Sequence, residues 1–204
     1  MKLLGAWPKL ITEPKVEVLG KKRRENFWQL KVRFKWTPVE FTTGYLLIPH
    51  GNEKGEGKRP AVVTVFYEPE TAIGLGKNPH RDFALQLARR GFVTLSLGST
   101  ETTNNRTYAT YFPSIKNATV QPLSMLGCAA ANAWHVLAQR PEVDAQRIGI
   151  VGHCWGGRVC WVGAGSNPLY KACAVFYGGR VKLVLGKGNP PAIDLTANIT
   201  CPVI

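Results

Sequence analysis

The residue with the clearest chemical potential is Cys154, which lies in the run Arg147-Ile-Gly-Ile-Val-Gly-His-Cys-Trp-Gly-Gly-Arg158. Glycines stand two residues before and two residues after this cysteine, which is the spacing of a nucleophile in a sharp strand-to-helix turn. The backbone of such a turn is strained, and glycine lets the strand and the helix pass closely. The run therefore predicts a thiol that is presented for attack on an acyl carbon.

The segments on either side of Cys154 favour the same interpretation. Residues 148–151 form a short β-branched run typical of a buried strand, and residues 158–164 favour a helix with small side chains. A helix that begins just after the thiol points free N–H groups at it, and we expect the Trp155 N–H to donate to a developing oxyanion. The competing interpretation is a structural cysteine, because free cysteine is among the most buried residue types.

Length and composition indicate a folded protein with one substantial core. The chain has 204 residues, of which 45% are hydrophobic and 19% charged, the usual balance of a globular domain. We expect a single domain over residues 1–204, with antiparallel strands in 1–57 and a parallel α/β core in 58–204. No apolar run approaches the ~18 residues that span a bilayer, and the first residues lack the apolar stretch of a secretory signal.

The cysteines and the net charge restrict the compartment and the partners. The five cysteines are widely spread and lack metal-ligand spacing, so we expect a reducing cytoplasm, no disulfide framework, and no metal or cofactor. The formal net charge is +13, which could indicate an anionic partner such as nucleic acid. The densest basic run, residues 21–24, is predicted to lie in a hairpin turn, so a basic but ordinary surface is the favoured interpretation. We expect no membrane partner.

The order of apolar runs predicts the architecture. Residues 27–36 alternate between apolar and polar side chains, which is typical of a half-exposed strand, and residues 60–67 form a near-continuous apolar strand. From there on, strands and helices alternate, which predicts a mostly parallel sheet with helices on both faces. Active sites in such sheets lie at the carboxyl ends of the strands. Residues 98–122 are predicted to form a long polar loop over that edge.

Several runs resemble the dienelactone hydrolase family of α/β-hydrolases. They are Gly152-His-Cys-Trp-Gly-Gly-Arg-Val159, Tyr177-Gly-Gly179, Asn189-Pro-Pro191, Ile193-Asp-Leu195 and Cys201-Pro-Val-Ile204. The segment 60–151 is also similar to esterases of the acetyl xylan esterase type. The resemblance implies an α/β-hydrolase fold and an ester or lactone hydrolase.

The resemblance also implies roles for individual residues. Cys154 would be the nucleophile, and the oxyanion hole would be formed by the backbone N–H of Trp155 with that of Tyr67 or Glu68. Members of the family place a glutamate near the resting thiol, and either Glu68 or Glu70 could take that place; both could equally be ordinary surface carboxylates. Arg158 is a further candidate contact to the substrate or the thiol, beside Glu68 and Glu70.

The chain departs from the family pattern near its end. The catalytic acid and histidine of the triad would follow the strand that begins at residues 201–204, so we expect a C-terminally truncated fold that lacks both groups. Asp194 is expected to cap a local turn, and His153 points away from its neighbour along the strand. We expect a homo-oligomer that covers the sheet edge at residues 172–177 and 201–204. The alternative function is a non-catalytic protein that keeps this fold for binding or assembly.

Overall fold

The computed structural model describes residues 9–36, 41–51, 57–76, 79–98, 122–182 and 191–204. It contains seven strands in these residues, which we label in chain order. They are β1 Val16–Arg23, β2 Phe27–Lys35, β3 Phe41–Pro49, β4 Arg59–Val65, β5 Val93–Leu97, β6 Val143–His153 and β7 Ala172–Phe176. The strands form one continuous sheet in the order β1-β2-β3-β5-β4-β6-β7.

The sheet is mixed, as the sequence predicts. β1, β2 and β3 are antiparallel, and β3 joins the rest of the sheet through an antiparallel pairing with β5. The pairs β5–β4, β4–β6 and β6–β7 are parallel. The carboxyl ends of β4, β6 and β7 therefore meet at one edge, which is where a site is expected in such a sheet.

The helices lie on both faces of the sheet. They are α1 Pro69–Ala72, α2 Phe83–Arg89, α3 Pro122–Ala138 and α4 Trp155–Ser166, with 3-10 turns at Pro79–Arg81 and Ala192–Asn198. The larger buried cluster joins α3 and α4 to one face of the sheet, and a smaller cluster joins α1 and α2 to the other. The predicted α/β-hydrolase architecture is thus confirmed for the described residues, while the predicted loop over residues 98–122 lies almost entirely outside them.

Two boundaries differ from the sequence expectation. The basic run at residues 21–24 was expected in a turn, but β1 continues through Arg23, which pairs with Trp28 of β2. β6 begins at Val143 instead of at residue 148, because Arg59 pairs with Val143 before a register shift. None of the described helices is both long enough and apolar enough to cross a bilayer.

Candidate active site

Cys154 is the single residue between strand β6 and helix α4. β6 ends at His153 and α4 begins at Trp155, and Cys154 between them has φ 55° and ψ −117°. A non-glycine residue with positive φ is strained by about 1–3 kcal/mol and persists only where the surroundings hold it. Here the Cys154 N–H donates to the Phe176 carbonyl at 2.9 Å, and the Cys154 carbonyl accepts from the Arg158 N–H at 3.2 Å.

The glycines around Cys154 allow β6 and α4 to approach closely. A Cβ added to Gly152 would lie 2.5 Å from backbone atoms of Gly156 and 2.8 Å from the Cys160 sulfur. Only glycine fits at such a distance. The spacing that singled out Cys154 in the sequence therefore has a steric cause in the structure.

The thiol of Cys154 is accessible, in contrast to the other cysteines. All five cysteines fall within the described residues: Cys128, Cys160 and Cys173 are buried, Cys201 is partly buried, and Cys154 is exposed. An exposed thiol beside a helix N-terminus can react with solutes, whereas a thiol enclosed in the core cannot. The competing interpretation of Cys154 as a buried structural residue does not fit its exposure.

Tyr67 brings a phenol to the thiol. This residue follows β4, and its hydroxyl donates a hydrogen bond to Cys154 Sγ at 3.3 Å. The Tyr67 ring stacks on the Trp155 ring, with 5.4 Å between centroids and 21° between planes, and meets Phe66 edge-on. Sequence reasoning singled out Tyr67 for its backbone N–H and missed its side chain, since no local pattern fixes that rotamer.

Burial and the neighbouring groups tune the Tyr67 phenol. Its pKa is raised chiefly by burial, and also by the hydrogen bond to Cys154 and by the proximity of that thiol. The Trp155 backbone N–H and the positive charge of buried Arg158 act in the opposite direction. The net direction keeps Tyr67 protonated, and hence a hydrogen-bond donor, at neutral pH.

The two glutamates considered for a thiol contact are engaged elsewhere. The Thr71 hydroxyl donates to Glu68 Oε2 at 2.9 Å, and the Glu68 carbonyl accepts from the first turn of α1. The Tyr45 hydroxyl donates to Glu70 Oε1 at 3.1 Å, and burial followed by this carboxylate raises the pKa of Tyr45 to about 12. Within the described part of the chain, neither carboxylate accepts a hydrogen bond from Cys154.

His153 lies among aromatic rings. Its ring stacks on Phe176 at 4.8 Å and is tilted against Phe83 at 4.6 Å. Burial lowers the pKa of His153, and its buried Nδ1 has no hydrogen-bond partner in the described structure. The ring is therefore neutral at pH 7. Asp194 is exposed in the 3-10 turn at Ala192–Asn198. No cluster of His, Cys, Asp or Glu among the described residues could hold a metal ion.

Comparison with known proteins relates this chain to hydrolases. The model of the dienelactone hydrolase family matches residues 43–204. A candidate carboxymethylenebutenolidase of Methylorubrum extorquens is 40% identical over 65 residues, which cover 31% of this chain and 22% of that protein. A second candidate carboxymethylenebutenolidase, from Salmonella typhi, is 36% identical over 67 residues, covering 33% of this chain and 25% of that protein.

Solved structures share the fold at low sequence identity. A candidate acetyl xylan esterase of Bacteroides fragilis superposes with a TM-score of 0.75 at 13% identity, over 98% of this chain and 63% of the other. A dienelactone hydrolase-like promiscuous phosphotriesterase from metagenomic libraries has a TM-score of 0.57 at 20% identity, covering 88% of this chain and 67% of the other. The match to the curated relatives thus spans about a quarter of their length, and the chain covers less than two thirds of the Bacteroides protein.

Proposed function

The chain belongs to the dienelactone hydrolase family of α/β-hydrolases, and on that premise we propose that it cleaves an ester or lactone through Cys154. The observation that carries the proposal is the exposed thiol in a strained backbone turn, at the carboxyl edge of the parallel strands. Strain of this kind is characteristic of functional sites. A solvent-facing sulfur beside a helix N-terminus supports a nucleophilic role.

The proposed reaction proceeds by acyl transfer in two steps. Cys154 loses its proton to water or buffer, and its sulfur attacks the acyl carbon to form the S–C bond. The carbonyl electron pair moves to oxygen and then returns, which breaks the C–O bond and releases the alkoxide or phenoxide. Water next attacks the thioester, giving the carboxylic acid and the free thiol.

The negative oxygen of the intermediate needs hydrogen-bond donors. We assign this role to the backbone N–H of Trp155, the first residue of α4, together with the N–H of Tyr67 or Glu68. The start of a helix favours negative charge, and fixed donors in such a position contribute strongly to acyl transfer. The positive charge of Arg158 and the net charge of +13 favour a carboxylated ester or lactone.

Deacylation is expected to limit the proposed reaction in a chain of these 204 residues. His153 is not the general base of this reaction, because its ring packs between Phe83 and Phe176. A thiol, unlike a serine hydroxyl, is partly ionised near neutral pH and can be acylated without a base. We therefore expect one rapid equivalent of product followed by slow turnover.

The test is a burst experiment with p-nitrophenyl acetate. We expect up to one equivalent of p-nitrophenolate per chain and, by intact mass, one acetyl group that peptide mapping locates on Cys154. Cys154→Ala should abolish both signals. The matched control is Cys201→Ala, which removes a partly buried thiol and should retain both.

Failure of this experiment would have a definite meaning. A folded chain that reacts neither with p-nitrophenyl acetate nor with carboxylated aryl esters would contradict the proposed hydrolase function. Acetylation that persists in Cys154→Ala would contradict the assignment of the nucleophile.

A further inference from the structure

The Tyr67 hydroxyl lies next to the sulfur of Cys154, the reacting atom of the proposed site. Its oxygen is 3.3 Å from Cys154 Sγ, and the hydrogen bond runs from the phenol to the sulfur. The Tyr67 ring also stacks on the ring of Trp155, the first residue of α4, with 5.4 Å between centroids. The phenol donor therefore lies beside the attacking sulfur and close to the start of α4.

We propose that the Tyr67 hydroxyl is a side-chain donor to the oxyanion that forms when Cys154 attacks an acyl carbon. The inference rests on the acyl transfer proposed above and adds a catalytic group to it. In the free protein, the phenol donates to sulfur; as the S–C bond forms, the same O–H donates to the negatively charged oxygen.

The distances allow this exchange without movement of the backbone. The Tyr67 Oη and Cys154 Sγ are 3.3 Å apart. The oxygen of an acyl group whose carbon is attacked by Sγ can therefore lie at a normal hydrogen-bond distance of about 2.7 Å from Oη. An O–H···O⁻ bond is stronger than a bond to a neutral acceptor. The interaction therefore strengthens in the transition state, as catalysis requires.

The surroundings hold the phenol ready for this role. Stacking on Trp155 and the edge-on contact with Phe66 fix the ring, so little reorganisation is needed at the moment of reaction. Burial raises the pKa of Tyr67 above its ordinary value, so the hydroxyl keeps its proton throughout the pH range in which a thiol reacts.

The test compares two reactions of the same thiol. Acylation by p-nitrophenyl acetate develops an oxyanion, whereas alkylation by iodoacetamide occurs at a saturated carbon and develops none. Both rates are measured in a Cys201→Ala background. Labelling then reports on Cys154, because the three remaining cysteines are buried. Tyr67→Phe keeps the ring and its stacking but removes the hydroxyl.

We expect Tyr67→Phe to slow acylation by about 100- to 1,000-fold, the usual effect of removing one oxyanion donor, and to change alkylation by less than about threefold. The matched control is Tyr177→Phe, which removes the hydroxyl of a residue that is 74% exposed near the same sheet edge and should leave both rates unchanged. Circular dichroism and the midpoint of thermal unfolding establish that each variant is folded.

The remaining outcomes overturn the inference in distinguishable ways. Equal losses in acylation and alkylation would mean that Tyr67 acts on the reactivity of the thiol alone. Faster acylation in Tyr67→Phe would mean that the hydroxyl blocks the site. A parent chain that is alkylated but never acylated would overturn the proposed function itself, and this inference with it.

Discussion

Gly156, in the first turn of α4, lies against the carbonyl of Val65 at the end of β4, and a Cβ added at Gly156 would overlap that carbonyl oxygen. This close approach brings the start of α4 next to the segment that follows β4. Cys154 directly precedes α4, and Tyr67 lies in the segment that follows β4. The contact between their side chains therefore depends on the absence of one methyl group at residue 156.

Gly156→Ala should accordingly destabilise the protein and disturb the site. Inserting a methyl group into a closely packed backbone contact typically costs about 1–3 kcal/mol, and here the neighbour is backbone that cannot rotate away. We expect a loss of about 2–3 kcal/mol in the free energy of unfolding, measured by urea denaturation, and slower acylation. The control is Gly179→Ala, where the nearest atom to an added Cβ is 3.9 Å away; an equal loss there would contradict the steric explanation.

The positive φ of Cys154 predicts that glycine is more stable than alanine at this position. At the φ of 55° a residue with a Cβ is strained, and glycine relieves that strain. Cys154→Gly should therefore be more stable than Cys154→Ala by about 1 kcal/mol, although both lack the thiol. The measurement is urea unfolding of the two variants side by side.

A matched pair at an ordinary helical position gives the control for this comparison. At exposed Arg89 in α2, alanine should be more stable than glycine, because glycine is a weak helix former. If alanine were also the more stable residue at position 154, the turn would not be strained.

The pair of Tyr45 and Glu70 predicts a pH dependence of stability. Burial and the Glu70 carboxylate raise the pKa of Tyr45 from 10.0 to about 12. Between these values the folded protein keeps a proton that the unfolded chain releases, so the free energy of unfolding falls as the pH rises. Below pH 10 this contribution is fully present, and it is lost as the pH approaches 12.

Tyr45→Phe should reduce that alkaline slope. Urea unfolding between about pH 9 and about pH 11 should give a shallower decline for the variant, by at most one proton. Near neutral pH the variant should be less stable by about 1 kcal/mol, because Glu70 loses its hydrogen-bond donor. Parallel pH profiles for the two proteins would contradict the assignment of this titration to Tyr45.

Local patterns in the sequence account for the fold and for the position of Cys154. The alternation in residues 27–36 predicts β2, and the apolar run after residue 60 predicts β4, because both depend on which side chains face the core. The G-x-C-x-G spacing places the thiol between β6 and α4 for steric reasons that act over five residues. Such short-range causes can be read from one chain.

Contacts between distant residues escaped sequence reasoning. Tyr67 and Cys154 are 87 residues apart, and the stacking on Trp155 that sets the Tyr67 rotamer exists only in the folded chain. Glu70 likewise contacts Tyr45, which lies on β3, 25 residues away. The sequence could identify Tyr67 and Glu70 as residues near the strand end, but it could not determine which side chain reaches the thiol.

The outer edge of the sheet predicts self-association. Residues 202–204 pair with β7 through the Cys173 N–H to the Pro202 carbonyl at 3.0 Å and the Val175 N–H to the Ile204 carbonyl at 2.7 Å. Val203 remains 40% exposed, and Phe176 at the end of β7 is 45% exposed. Exposed apolar side chains beside an open sheet edge favour pairing with another chain.

We expect a chain of these 204 residues to sediment as a concentration-dependent dimer or larger species, and Val203→Lys to shift it toward the monomer, because a charged side chain opposes edge pairing. The control is Leu75→Lys, at a 49% exposed position outside the strands, which should leave the sedimentation profile unchanged. A monomer at every concentration would contradict the prediction. An equal shift in both variants would mean that added charge in general separates the chains, and not the disruption of edge pairing at Val203.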